Sequence, residues 1–97
     1  MNRLEKVLRK AIEKNGWRYQ LMIVVEELSE LTKEISKVYR GEGKKENVIE
    51  EMADVIITMG YVREILDIKE DEISEIVKRK ISRLEEKLWK GQHLQKK

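Results

Sequence analysis

The residues best suited to chemistry fall in two short acidic runs, Glu26-Glu27-Leu28-Ser29-Glu30 and Glu50-Glu51-Met52-Ala53-Asp54, each embedded in apolar sequence. At about 100° per residue, helix positions three apart lie one turn apart on one face, so Glu27 pairs with Glu30 and Glu51 with Asp54. Antiparallel packing of the two helices would bring both pairs to one level. Carboxylates that close raise one another's pKa and repel unless a cation sits among them. Oxygen donors alone suit a hard divalent ion, Mg²⁺ first and Mn²⁺ second, with open positions for water and a phosphate. A ferritin-like di-iron centre would call for Glu-x-x-His pairs, and the only histidine is His93, beyond Gly91. The competing reading is that two such spacings arise by chance in a Glu/Lys-rich chain and mark solvated helix faces.

The elements that must position these acids are helices. Proline is absent and the apolar residues recur with a period near 3.6 throughout. Leu4, Val7, Leu8, Ala11 and Ile12 predict a first helix over 2–14, with Asn15-Gly16 as a left-handed cap. Leu21, Val24, Leu28, Leu31, Ile35 and Val38 predict a long second helix over 17–39, ended by Gly41-Glu42-Gly43. Ile49, Met52, Val55, Ile56, Met59 and Val62 predict a third over 46–66. The fourth, over 70–89, starts at Glu70-Asp71, whose charges suit a helix N-terminus, and ends at Gly91 with a tail over 91–97. Short connections favour an all-α, antiparallel bundle of about four helices, with the first short enough to lie across the others.

The chain of 97 residues offers no linker composition and is expected to be one domain. So short a chain buries only about 60–65% of the surface its unfolded form exposes, so an oligomer is expected. Charged residues make up 41%, but 21 Lys and Arg against 19 Asp and Glu are interleaved, which argues against nucleic-acid binding. The basic Gln95-Lys96-Lys97 reads as a solvated terminus. The absence of cysteine excludes disulfides and thiolate metal sites. With no apolar leader and no apolar run of spanning length, a soluble, cytoplasmic protein without a membrane partner is expected.

The arrangement Glu26-Glu27-x-x-Glu30, a glycine-containing loop, then Glu51-x-x-Asp54 resembles the signature of the MazG-like, all-alpha nucleoside triphosphate pyrophosphohydrolases. Trp17 and Gln20 ahead of the first run, Leu31 after it, and the Glu50-Glu51-Met52-Ala53-Asp54-Val55 context are similar to that family as well, over about residues 16–90. Each half of the signature is weak, and the two at this separation in a helical chain are much more specific. The resemblance implies a Mg²⁺-dependent enzyme that cleaves a (deoxy)nucleoside triphosphate to the monophosphate and pyrophosphate, often removing noncanonical nucleotides, as a homodimer or dimer of dimers. It implies Glu27, Glu30, Glu51 and Asp54 as metal ligands, with Glu26 the preceding acid. Glu26 lies one turn from Glu30, so one of Glu26 and Glu27 could ligate while the other orients the attacking water; Glu26 is assigned the catalytic base.

Lys80 falls within the apolar arc of Ile73, Ile76, Val77 and Leu84, with Arg83 at its edge. Either these cations bind substrate phosphate, or their aliphatic stems are buried while the charges reach water. Trp17 could stack on a base and Gln20 hydrogen-bond its edge, or both could pack in the core. The reading from a different class is a non-catalytic helical interaction module whose acids flank an oligomer seam.

Overall fold

The computed structural model describes the backbone over residues 1–95, with side chains through Lys90. Lys96, Lys97 and the side chain of His93 lie outside the described residues. The fold is all-helical: α1 (Arg3–Asn15), α2 (Trp17–Tyr39), α3 (Lys45–Leu66) and α4 (Glu70–Gln95), with no strand among the described residues. None of these helices is long and apolar enough to cross a membrane. The chain divides into two compact units, one over Met1–Asp67 and one beginning at Ile68.

Within the first unit, local chemistry sets each boundary. Asn2 caps α1, its side-chain oxygen accepting from the Glu5 N–H at 2.8 Å. Gly16 ends α1 with φ 89° and ψ 151°, a region essentially confined to glycine, rather than in the left-handed cap that Asn15-Gly16 suggests. Its N–H donates to the Ile12 carbonyl at 2.8 Å before α2 starts at once. The C-terminus of α2 closes in a Schellman motif: Glu42 N–H donates to Lys37 O and Gly41 N–H to Val38 O, both at 2.9 Å, with Gly41 at φ 81°. Asp67, in the left-handed region at φ 54°, caps α3.

The α2–α3 hairpin is antiparallel, with Val38 beside Gly43 at the turn and Glu27 reaching Glu51 and Asp54 further back. Inward positions repeat at alternating steps of four and three on both helices. On α2 these are Gln20, Val24, Glu27, Leu31 and Glu34; on α3 they are Glu51, Val55, Thr58, Val62 and Ile65, all buried or half-buried. The stripe along α2 predicted from apolar spacing therefore mixes two faces: Val24 is buried, whereas Leu28, Ile35 and Val38 are exposed. α1 lies against both helices. Leu8, fully buried, sits where α3 is reduced to Gly60, and Arg9 Nε meets Glu64 Oε2 at 2.6 Å. That pair is half in solvent and contributes at most about 1 kcal/mol. Among the described residues only Leu8 and Val24 are buried apolar residues, beside the buried polar Gln20, Glu34 and Thr58.

The turn supplies a first prediction. A methyl at Gly43 would lie 2.6 Å from the Val38 backbone nitrogen and 2.8 Å from its Cα, atoms that cannot move without opening the Schellman turn. Gly43→Ala is expected to cost about 1–3 kcal/mol, seen as a drop of roughly 5–15 °C in Tm. An unchanged Tm would contradict this account of the turn.

In the second unit, Glu72 reaches back to the Lys69 N–H at 2.7 Å, the return half of a capping box at the start of α4. The helix passes through Gly91 to Gln95 instead of ending there. Glycine inside a helix costs about 1 kcal/mol, which lowers its stability but does not oblige it to stop.

Candidate metal centre

Glu27 on α2 and Glu51 and Asp54 on α3 each offer a carboxylate oxygen, and the three oxygens lie within 4.8 Å of one another. Fold and sequence combine simply to produce this. Glu27 occupies the inward stripe of α2, Glu51 begins that of α3, and Asp54, one turn on, flanks it. Glu27 and Glu51 are half-buried and Asp54 is exposed, so the cluster opens to solvent on one side. Glu51 Oε2 is fully enclosed and has no hydrogen-bond partner. An enclosed carboxylate oxygen without a donor is costly, and a bound cation would satisfy it.

The electrostatics agree. Glu27 is pushed above its ordinary value of 4.5 first by burial, then by the charges of Asp54 and Glu51, by a side-chain hydrogen bond with Asp54, and by the charge of Glu30. Glu51 is raised by burial, then by Asp54, Glu30, Glu34 and Glu50. Glu30 is therefore near enough for its charge to act on both, although it is exposed and outside the group of three. Glu26 is exposed on the outer side of α2, also outside the group.

These directions set a pH dependence for the metal-free protein. A carboxyl whose folded pKa is raised holds its proton more tightly when folded, so the stability it contributes is complete below about pH 4.5 and is lost as pH rises through the folded value. Glu27→Gln is thus expected to raise Tm in EDTA at pH 8, where the wild-type acids repel, and to leave it unchanged near pH 4. A lower Tm for the variant at pH 8 would contradict the sign.

Glu34 was not singled out by the sequence. It is buried, with Lys37 Nζ at 3.2 Å from its Oε2, and its charge acts on Glu51. The available signal was its position seven residues beyond Glu27, two turns along one stripe. Among the expected substrate contacts, Gln20 is buried and its Oε1 accepts from Asn15 Nδ2 at 3.0 Å. Trp17 is half-exposed beneath the Arg18 guanidinium, 5.1 Å from the ring centroid. It borders a cavity of about 590 Å³ with Ile12, Ile65 and Leu66, Arg9 and Glu64 also lining it. Trp17 precedes Glu27 by ten residues, about 15 Å along α2. Lys80 and Arg83 are exposed on α4, in the second unit.

No protein-family model, curated protein or solved structure matches this chain.

Proposed function

We propose that the chain is a Mg²⁺-dependent nucleotide pyrophosphohydrolase that converts a (deoxy)nucleoside triphosphate to the monophosphate and pyrophosphate, in the cytoplasm and as a homodimer or dimer of dimers. The observation that carries this reading is the gathering of the Glu27, Glu51 and Asp54 oxygens, with Glu51 Oε2 enclosed and unpartnered. The all-oxygen, anionic donor set fits Mg²⁺, or Mn²⁺ in its place. Glu27, Glu51 and Asp54 would hold the ion, and Glu30 would complete the set from the edge.

When bound, Mg²⁺ supplies charge neutralisation at the phosphate oxygens. The chain's own residues do the rest. Glu26, exposed one turn from Glu30, accepts a proton from water as the water oxygen bonds to the α-phosphorus. The bond from the α-phosphorus to the oxygen bridging to the β-phosphorus breaks, and pyrophosphate leaves. Trp17, half-exposed, is the aromatic surface assigned to the base. Gln20, expected beside it, has its oxygen engaged by Asn15, and only its amide N–H groups are left to offer.

The test is direct. Purified protein is incubated with Mg²⁺ and a panel of ribo- and deoxynucleoside triphosphates, and pyrophosphate is measured. Release from at least one nucleotide is expected; release from none above the level of a Glu51→Gln control would overturn the proposal. The alternative, a non-catalytic helical oligomerisation module, draws on the many exposed apolar residues of α2 and α3. It predicts that Mg²⁺ leaves stability unchanged.

A further inference from the structure

Glu34 is a buried carboxylate that the hydrolytic step leaves unused. It is 8% exposed, on the same inward stripe of α2 as Glu27 and two turns nearer the hairpin turn. A buried charge is costly even when paired, and an apolar residue of similar volume in its place is often as stable or more so. Stability alone therefore does not account for a glutamate at this position. Two interactions give it a role. On one side its charge reaches the acidic centre, where it acts on Glu51 after burial, Asp54 and Glu30. On the other, its Oε2 holds the Lys37 ammonium at 3.2 Å, and the lysine side chain is 37% exposed, open to solutes.

The helix sets where Lys37 points. Seven residues after Glu30, Lys37 lies about 20° from it around the axis, on the same edge of α2. The cluster opens toward solvent on the side of its exposed members, Glu30 and Asp54, whereas Glu27 and Glu51 are half-buried. Helical side chains lean toward the N-terminus, and the pair with Glu34, one turn back, holds the ammonium toward the acidic centre. Glu30 and Glu34 are about 6 Å apart along the axis, a step that two linked phosphates can bridge.

From this geometry we propose that Lys37, aimed by Glu34, receives the β- and γ-phosphates of the nucleotide and then the departing pyrophosphate. The substrate lies along α2, its α-phosphate at the acidic centre and its terminal phosphates toward the hairpin turn. This role rests on the pyrophosphohydrolase reading and adds to it the direction of the substrate and the residue that meets the leaving group. As the bond from the α-phosphorus to the bridging oxygen breaks, its electron pair goes to pyrophosphate. Lys37, with three donors on one charge, balances that charge without transferring a proton. Lys37 is a binding residue and Glu34 a positioning residue.

The test uses the full chain with Mg²⁺ and reads two quantities: affinity for inorganic pyrophosphate by calorimetry, and steady-state kinetics with nucleoside triphosphates. Lys37→Gln is expected to bind pyrophosphate about 10- to 100-fold more weakly and to lose kcat/KM by a similar factor. Lys37→Arg should retain most of both. Glu34→Gln, which keeps the ammonium but releases its aim, should weaken pyrophosphate binding by about 3- to 10-fold. Lys10→Gln, exposed on α1, controls for the loss of one positive charge and should match wild type. Pyrophosphate affinity in Lys37→Gln equal to wild type would overturn the proposal whatever the Tm, leaving Lys37 as a counter-ion to Glu34 alone. So would a wild-type chain that binds no pyrophosphate at millimolar concentration. The two readings fail separately. Wild-type turnover with an indifferent Lys37 removes only this role, and Lys37-dependent binding of pyrophosphate without turnover of any nucleotide removes only the hydrolase.

Discussion

Glu51→Gln is expected to lower Mg²⁺-supported pyrophosphate release by on the order of 100- to 1000-fold while the helices stay intact. The substitution keeps the shape of the side chain and removes its charge. In the folded chain Glu51 Oε2 is enclosed without a donor, and burial together with Asp54, Glu30, Glu34 and Glu50 raises the carboxyl. A neutral amide relieves that repulsion, so the metal-free variant should melt no lower than wild type at neutral pH. Loss of turnover combined with an equal or higher Tm in EDTA is a combination that a folding defect cannot give. Full activity in Glu51→Gln would remove Glu51 from the site.

The second large effect is on stability. A ligand that binds only the folded state at 100 times its Kd stabilises by about 2.7 kcal/mol. At roughly 4–8 °C per kcal/mol for a domain of this size, Mg²⁺ should raise Tm by about 10–20 °C over EDTA at matched ionic strength. Asp54→Asn should reduce that rise to a few degrees, since it removes one of the three converging charges. Because Asp54 also raises Glu27 and Glu51, the variant should be at least as stable as wild type without metal. A Tm indifferent to Mg²⁺ in the wild-type protein would favour the non-catalytic module.

The helices, and the approach of Glu27 to Glu51 and Asp54 though not of Glu30, were legible in the sequence because both depend on local periodicity. Helix boundaries fell within a residue of expectation for α1, α2 and α3, where Asn2, Gly16, Gly41 and Asp67 act through their own backbone or side chain. Gly91 misled because a lone glycine weakens a helix without terminating it. The orientation of α2 was harder to read for a different reason. Leu21 through Val38 offer apolar residues over more than half of the helix circumference, and periodicity alone does not say which arc turns inward. The helix in fact buries Gln20, Val24 and Glu34 and leaves Leu28 and Ile35 outside. A buried glutamate has no apolar signature, and the seven-residue spacing of Glu34 from Glu27 gains meaning only once packing shows which stripe turns inward. Glu30 and Glu26 share the motif's spacing with Glu27, but the rotation of α2 carries both to the exposed side.

The most direct test is to soak crystals of the protein in Mn²⁺ and collect data sensitive to its anomalous scattering. The prediction is a peak bonded at about 2.0–2.3 Å to oxygens of Glu27, Glu51 and Asp54, absent from crystals of Asp54→Asn. Mn²⁺ bound only elsewhere, or none bound among these three carboxylates at millimolar concentration, would contradict the account.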